Sequence, residues 1–272
     1  MEELLERALK TLKKGQNCAI ATIISSTDKG TPRKSGAKMI VWEDGSIEGT
    51  IGGGREEKSA QEECLKAIKN SKASLVTYNY SGKSHQSACG GKVQVFIEPL
   101  LSKKHLIICG AGHIALPLSI LAKILNFKVT IIDNRKGWAN HKRFPHVDQI
   151  LVNQPASQLA DIPISQNTFI MIVTHGHEFD LECLKTVAQS AARYIGVIAS
   201  LVKRINFLKE LKRTNVPEKF LRRIHMPAGI DIGAQTPEEI SISIMAEIVS
   251  LTNKDFLGSD KFKVKEEKER RK

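Results

Sequence analysis

The sequence predicts an α/β protein whose second half carries a parallel sheet and whose first half is α+β with a mainly antiparallel sheet. Two observations predict it. After residue 104, short apolar runs (HLIIC, KVTII, TFIMIV, YIGVIA) alternate with stretches of helical period, the pattern of strands joined by right-handed crossovers. Before it, β-rich runs are divided by turn residues, and the period changes at Pro99–Lys104. The expected domains are 1–101 and 102–254, followed by a charged tail, 255–272.

In chain order, Leu4, Leu5, Ala8 and Leu12 predict a helix over 2–14. CAIATIIS, 18–25, is apolar and β-rich, and STDKGTPRKSG, 26–36, is loop chemistry. AKMIVW and SIEGTI flank Glu43-Asp44-Gly45, a hairpin signal. Residues 55–70 read as a helix with Ala60, Cys64 and Ile68 on one face. ASLVTYNY and KVQVFIEPL are strands around the polar loop SGKSHQSACGG. In the second half, strands at HLIICG, KVTIID, QILV, TFIMIV and YIGVIA alternate with helices to Asn126, over 181–191 and over 201–214. The last helix opens at QTPEEIS, where Thr236 caps, Pro237 fits the first turn and Glu239 completes a capping box.

Composition narrows the function. Lys and Arg number 41 against 29 Asp and Glu, a net charge of +12, which suits anionic ligands or an acidic partner. Part of that charge is the tail KFKVKEEKERRK. Aromatics make up 5% of the chain, too few for a base-stacking platform, so no nucleic-acid partner is expected. No apolar run reaches the roughly 20 residues that span a bilayer. MEELLERALKTLKK reads as an amphipathic helix rather than a signal peptide, giving a cytoplasmic expectation. The cysteines, 18, 64, 89, 109 and 183, form no CxxC pair, which argues against a disulfide framework. All but Cys89 lie in apolar or helical runs as core residues.

Three stretches carry chemistry. In CGAGHIALPL, Gly110, Gly112 and Ala115 form GxGxxA between a strand and a helix, and Asp133 ends the next strand where a ribose-binding acid belongs. Gly110 permits the tight turn, and Gly112 lets the backbone approach a diphosphate at the helix N-terminus. This is either a nucleotide site or a structural Rossmann-like domain with an altered pocket. Asp133 disfavours a 2′-phosphate, and Arg135 beside it pulls the other way. In THGHEFD, His175 and His177 alternate, so that both could leave a strand end on one side; with Glu178 and Asp180 they are also candidate metal ligands, against a reading as ordinary loop histidines. In TIGGGREE, the run Gly52-Gly53-Gly54 could turn backbone amides toward an anion, with Arg55 and the Thr31-Pro32-Arg33 loop adding cations, or could simply connect hairpin to helix. Further on, Gly229 and Gly233 in PAGIDIGAQTPEE either shape a loop over the pocket or turn the chain.

Taken together, GTPRKSGAKMIVWEDGSIEGTIGGG, SACGGKVQVFIEPL, LIICGAGHIALPL, VTIIDNRKGWAN, VTHGHEFD, YIGVIAS and GIDIGAQTPEEISISIMAEIV resemble the XdhC/CoxI family, in matching order over about residues 10–252. The resemblance implies an N-terminal XdhC/CoxI domain, a C-terminal Rossmann domain and a homodimer. It implies an accessory, chaperone-like factor that binds the molybdenum cofactor (molybdopterin) as cargo. Such a factor supports sulfuration by a cysteine desulfurase and insertion into a xanthine dehydrogenase-type molybdenum hydroxylase. On it, Pro32, Arg33, Gly52, Gly53, Gly54, Arg55 and Cys89 form an anion or pterin site. Gly110, Gly112, His113, Asp133, Arg135, His175 and His177 form the cofactor site. Where the family commonly shows GGGC, this chain has Arg55, which could hold a phosphate or oxo group by paired hydrogen bonds and cannot ligate molybdenum. Cys89, in the family's CGG motif, is then the remaining thiol. The alternative is an NAD(P)-dependent oxidoreductase, with NAD(P) or another nucleotide in the Rossmann domain and His113, His175 or His177 serving the hydride step. A metal-dependent hydrolase using His175, His177 and Asp180 is a third reading.

Overall fold

The structure is a computed structural model that describes residues 2–27, 33–80, 91–214 and 216–252. The chain forms two compact units, one of Met1–Lys104 with Pro163–Thr168, the other of His105–Ile162 and the residues from Phe169 on. Among the described residues no helix is long and apolar enough to cross a membrane. The charged tail lies outside them.

The first unit begins with helix α1 (Glu2–Lys13) and strand β1 (Cys18–Ser26). Strands β2 (Lys38–Trp42) and β3 (Ile47–Gly49) form the hairpin, with Gly45 in the left-handed region at φ 84. Helix α2 (Gly54–Asn70) and strands β4 (Ser74–Tyr80) and β5 (Gly91–Leu100) follow. The sheet is antiparallel in the order β3-β2-β1-β5-β4. Ala60, Cys64, Ala67 and Ile68 of α2 pack on Ala19, Met39, Val93, Val95 and Ile97, as the helical period required.

The second unit runs β6 (His105–Cys109), α3 (Ala115–Ile124), β7 (Lys128–Ile132), β8 (Gln149–Leu151), α4 (Pro155–Asp161), β9 (Thr168–Ile172), α5 (His177–Val187), β10 (Tyr194–Val197), α6 (Leu201–Arg213), α7 (Glu218–Leu221), β11 (Ile224–His225) and α8 (Pro237–Thr252). Its sheet orders β11-β10-β9-β6-β7-β8, with parallel registers. This is the doubly wound Rossmann-like order, which reverses between β6 and β9 and opens a crevice at the carboxyl ends of those strands. Strands β6, β7, β9 and β10 are buried almost throughout, because helices cover both faces of a parallel sheet. Cys18, Cys64, Cys109 and Cys183 are buried and unpaired.

Two expectations need correction. Helix α5 starts at His177, four residues before 181, so His177 is not on a strand end: β9 stops at Ile172 and His175 lies in the connecting loop. The reason is local: Gly176 is extended (φ −145, ψ 141) at the N-cap, and Glu178 and Asp180 suit the positive end of the helix in its first turn. Helices α4 and α7 and strand β11 had no sequence signal, being 7, 4 and 2 residues long.

Candidate functional site

Each unit has a glycine-rich corner between a strand and a helix, and the two are built differently. In the first unit, Gly52, Gly53 and Gly54 have φ of 134, 79 and 76, a run that only glycine adopts readily. It brings the backbone round to the start of α2. Three amides of this corner are already occupied: Glu57 Oε2 accepts from the N–H of Ile51 and of Gly53, both at 3.0 Å, and from the Thr50 hydroxyl. The Gly52 N–H donates to Thr50 Oγ1 at 3.0 Å. Burial raises the Glu57 pKa, but these hydrogen bonds outweigh it and hold the carboxyl below its ordinary value. The Gly52 and Gly53 amides are therefore not free for an outside anion, since Thr50 and a side chain one turn into the helix already accept from them. Arg55 and Arg33 are exposed, while Pro32 and Cys89 lie outside the described residues.

Glu57 gives the first unit a testable joint. Glu57→Ala is expected to lower its stability by about 1–2 kcal/mol, the range for losing a helix cap that serves part-buried amides. Because the folded pKa is depressed, this contribution is present above the unfolded value near 4.5 and lost as pH falls through the folded one. Urea titrations of both proteins at pH 7 and pH 4 should show the difference shrinking in acid.

The corner of the second unit has a different build. Gly110, at φ 118, lets β6 turn under β9. A Cβ there would sit 2.6 Å from the Val173 carbonyl carbon and closer still to its oxygen. Gly112, two residues on, would place a Cβ with nothing within 4 Å. Helix α3 opens behind it with no side-chain cap. The loop thus has one glycine required by packing and another bordering open space.

Asp133, at the end of β7, is 1% exposed and turns inward. Its Oδ2 accepts from the Ala111 N–H at 2.7 Å and from Arg135 Nη2 at 2.7 Å, and its Oδ1 from Arg135 N and Nε, each at 2.9 Å. Burial raises its pKa, but the Arg135 hydrogen bonds and the Ala111 amide hold it below the usual carboxylate value. Arg135 Cζ lies 5.0 Å from the Trp138 ring centroid and Arg143 Cζ 4.9 Å from it. The exposed His113 meets the same indole edge-on at 5.4 Å. Arg143 Nη2 reaches the Gly112 carbonyl oxygen at 3.4 Å. Arg143 Nε and Asn134 Oδ1 are buried with no hydrogen-bond partner among the described residues. Gly110, Gly112, His113, Asp133 and Arg135 thus come together.

His175 and His177 contribute less. His175 is exposed and tilts against Phe179 at 5.0 Å; the His177 side chain lies outside the described residues. Below them Asp180 is used structurally: its Oδ1 accepts from Thr174 N (3.1 Å) and Oγ1 (2.6 Å), and its Oδ2 from Lys203 Nζ (2.5 Å), which also donates to the Ile198 carbonyl at 2.9 Å. A carboxylate so engaged is poorly placed to ligate a metal, and among the described residues no group of three or more His, Cys, Asp or Glu could hold one. Gly229 closes against α8, where its N–H donates to Glu247 Oε2 at 2.8 Å. The loop 227–239 is therefore tied down near Gly229.

Sequence reasoning missed Trp138, Arg143, Lys203 and Glu57. NRKGWANHKR carried a signal, since an aromatic amid basic residues just after a ribose-site acid is a phosphate-site composition. Lys203, in contrast, sits in a basic helix where nothing distinguished it from its neighbours.

Residues 106–248 match the XdhC Rossmann domain and residues 11–79 the XdhC and CoxI family. The uncharacterised protein YqeB of Escherichia coli is 34% identical over 244 residues, 88% of this chain and 44% of that protein. A protein of Bacillus subtilis described as a probable xanthine dehydrogenase component is 30% identical over 157 residues, 57% of this chain and 45% of that protein. The molybdenum cofactor insertion chaperone PaoD of Escherichia coli is 22% identical, matching 91% of this chain and 87% of that protein. The chain thus spans less than half the length of the first two relatives. A crystal structure described as a xanthine dehydrogenase from Bacillus halodurans shares the fold, at 24% identity and a TM-score of 0.52 over 96% of this chain and 98% of that one.

Proposed function

The chain belongs to the XdhC and CoxI family, and from that premise we propose that it is a maturation factor: it binds the molybdenum cofactor and passes it to a xanthine dehydrogenase-type molybdenum hydroxylase. The observation that carries this is the match to the insertion chaperone, which runs through most of both chains. The geometry supports it at the Rossmann corner. A molybdopterin is a pterin with a phosphate tail, and Gly112 with the uncapped start of α3 offers backbone approach and a positive dipole to such a phosphate. Glu57 makes the other glycine corner a weaker candidate. The finer steps, sulfuration with a cysteine desulfurase and action as a homodimer in the cytoplasm, belong to the same proposal.

The test is to supply the purified chain with molybdopterin, separate it from free ligand, and measure retained molybdenum by elemental analysis and pterin by fluorescence after oxidation. About one cofactor per chain and transfer to an apo-hydroxylase are expected. A chain that retains neither metal nor pterin overturns the proposal.

A further inference from the structure

We propose that the glycine-loop edge of the six-stranded sheet binds a nucleotide carrying a 2′-phosphate, with Arg143 as the phosphate-binding group and the Asp133–Arg135 pair as a brace rather than a ribose ligand. This goes beyond cofactor insertion and does not rest on it, and it makes the nucleotide a competitor of molybdopterin for the corner at Gly112.

In a sheet of this order, a nucleotide lies over the glycine loop and its sugar faces the end of the second strand. An acid there selects a free ribose diol when its oxygens are available to the hydroxyls. Those of Asp133 are not, since four donors already hold them and the side chain is 1% exposed. Taking a diol would mean giving up a charge-assisted, two-pronged pair for neutral hydrogen bonds, a poor exchange. The same pairing cancels the negative charge that would repel a 2′-phosphate.

What remains beside the loop is positive. Among the described residues Arg143 has no ion-pair partner; its cation is engaged by the Gly112 carbonyl and by ring faces. Its Nε is buried and unsatisfied, as is Asn134 Oδ1 nearby in sequence. A phosphate supplies a counter-charge for this guanidinium. Trp138, against which Arg143 and Arg135 both lie, fixes the guanidinium in place. Gly112 leaves room above the loop for the diphosphate of the same ligand.

The experiment measures binding of 2′,5′-ADP and of 5′-AMP to the full chain by calorimetry, without molybdopterin, so that its failure is separate from failure of the insertion role. The expected result is 2′,5′-ADP bound about tenfold or more tightly. In Arg143→Gln the ratio of the two affinities should fall toward one; Arg143→Lys, which keeps the charge without the planar fork, should retain part of it. Equal binding of the two nucleotides by the unmodified chain, or no binding of either, overturns the proposal whatever the variants do. An unchanged preference in a folded Arg143→Gln overturns the role of Arg143. Displacement of 2′,5′-ADP by equimolar inorganic phosphate would assign the site to free phosphate and overturn the nucleotide.

Discussion

Replacing Gly110 with alanine is expected to destabilise the six-stranded unit by about 3–5 kcal/mol, through a non-glycine left-handed backbone and overlap with a neighbouring strand end. The overlap falls on main-chain atoms: the added Cβ meets the Val173 carbonyl group, and the Thr174 Cα at 3.0 Å. No rotamer change relieves it. Relief requires moving the end of β6, whose Gly110 N–H donates to the Ile132 carbonyl at 2.7 Å, or the end of β9, whose Val173 N–H donates to the Cys109 carbonyl at 2.8 Å. Gly112→Ala makes the contrast, since its Cβ meets nothing within 4 Å. Stability should change by no more than about 0.5 kcal/mol, while a methyl group over the loop should weaken 2′,5′-ADP by about tenfold or more. Urea denaturation with calorimetric binding on the same preparations checks both. A well-folded Gly110→Ala, or a Gly112→Ala that binds normally, would contradict this division between a glycine of packing and a glycine of binding.

Glu247→Ala should cost about 3–5 kcal/mol in the same unit, because one carboxylate serves three groups. It accepts from the hydroxyl of Tyr194, which is 0% exposed, at 2.7 Å and from the Gly229 N–H at 2.8 Å, and its other oxygen pairs with His225 Nδ1 at 2.7 Å. Removing it strands the hydroxyl of the buried Tyr194 and a part-buried amide, and frees the loop that Gly229 ties to α8. Burial raises the Glu247 pKa, but the His225, Tyr194 and Gly229 hydrogen bonds outweigh this and depress it. The stabilisation is therefore full above the unfolded value of about 4.5 and disappears as pH falls through the depressed folded value. Denaturant titrations at pH 7 and pH 4 should show the mutant's deficit narrowing in acid. A constant deficit would mean that Glu247 acts by packing alone.

Much of the fold could be read from particular residues. The hairpin followed from Glu43-Asp44-Gly45. The face of α2 followed from the spacing of Ala60, Cys64 and Ile68. The start of α8 followed from Thr236 and Glu239, whose reciprocal bonds are present at 3.2 Å and 3.0 Å. These are local effects, settled within a few residues by turn chemistry and period. Helix α5 came out four residues late because the apolar period begins after His177, whereas the helix is started by Gly176 and the acids that follow it. The strand order could not be read, because alternation specifies parallel neighbours without saying which strand lies beside which.

The sequence alone determined where chain direction must reverse and which residues could turn it, because backbone preferences and apolar periods act over short separations. Tertiary structure decided which of those turns keep amides available to a guest. At one corner Glu57 reaches back and takes the amides of Ile51 and Gly53. At the other, Asp133 crosses 22 positions to hold Ala111, and Arg143 crosses 31 to reach Gly112. Contacts over such distances depend on how strands and loops stack; they hold Asp133, already paired with its neighbour Arg135, as a brace, and among the described residues Arg143 has no ion-pair partner.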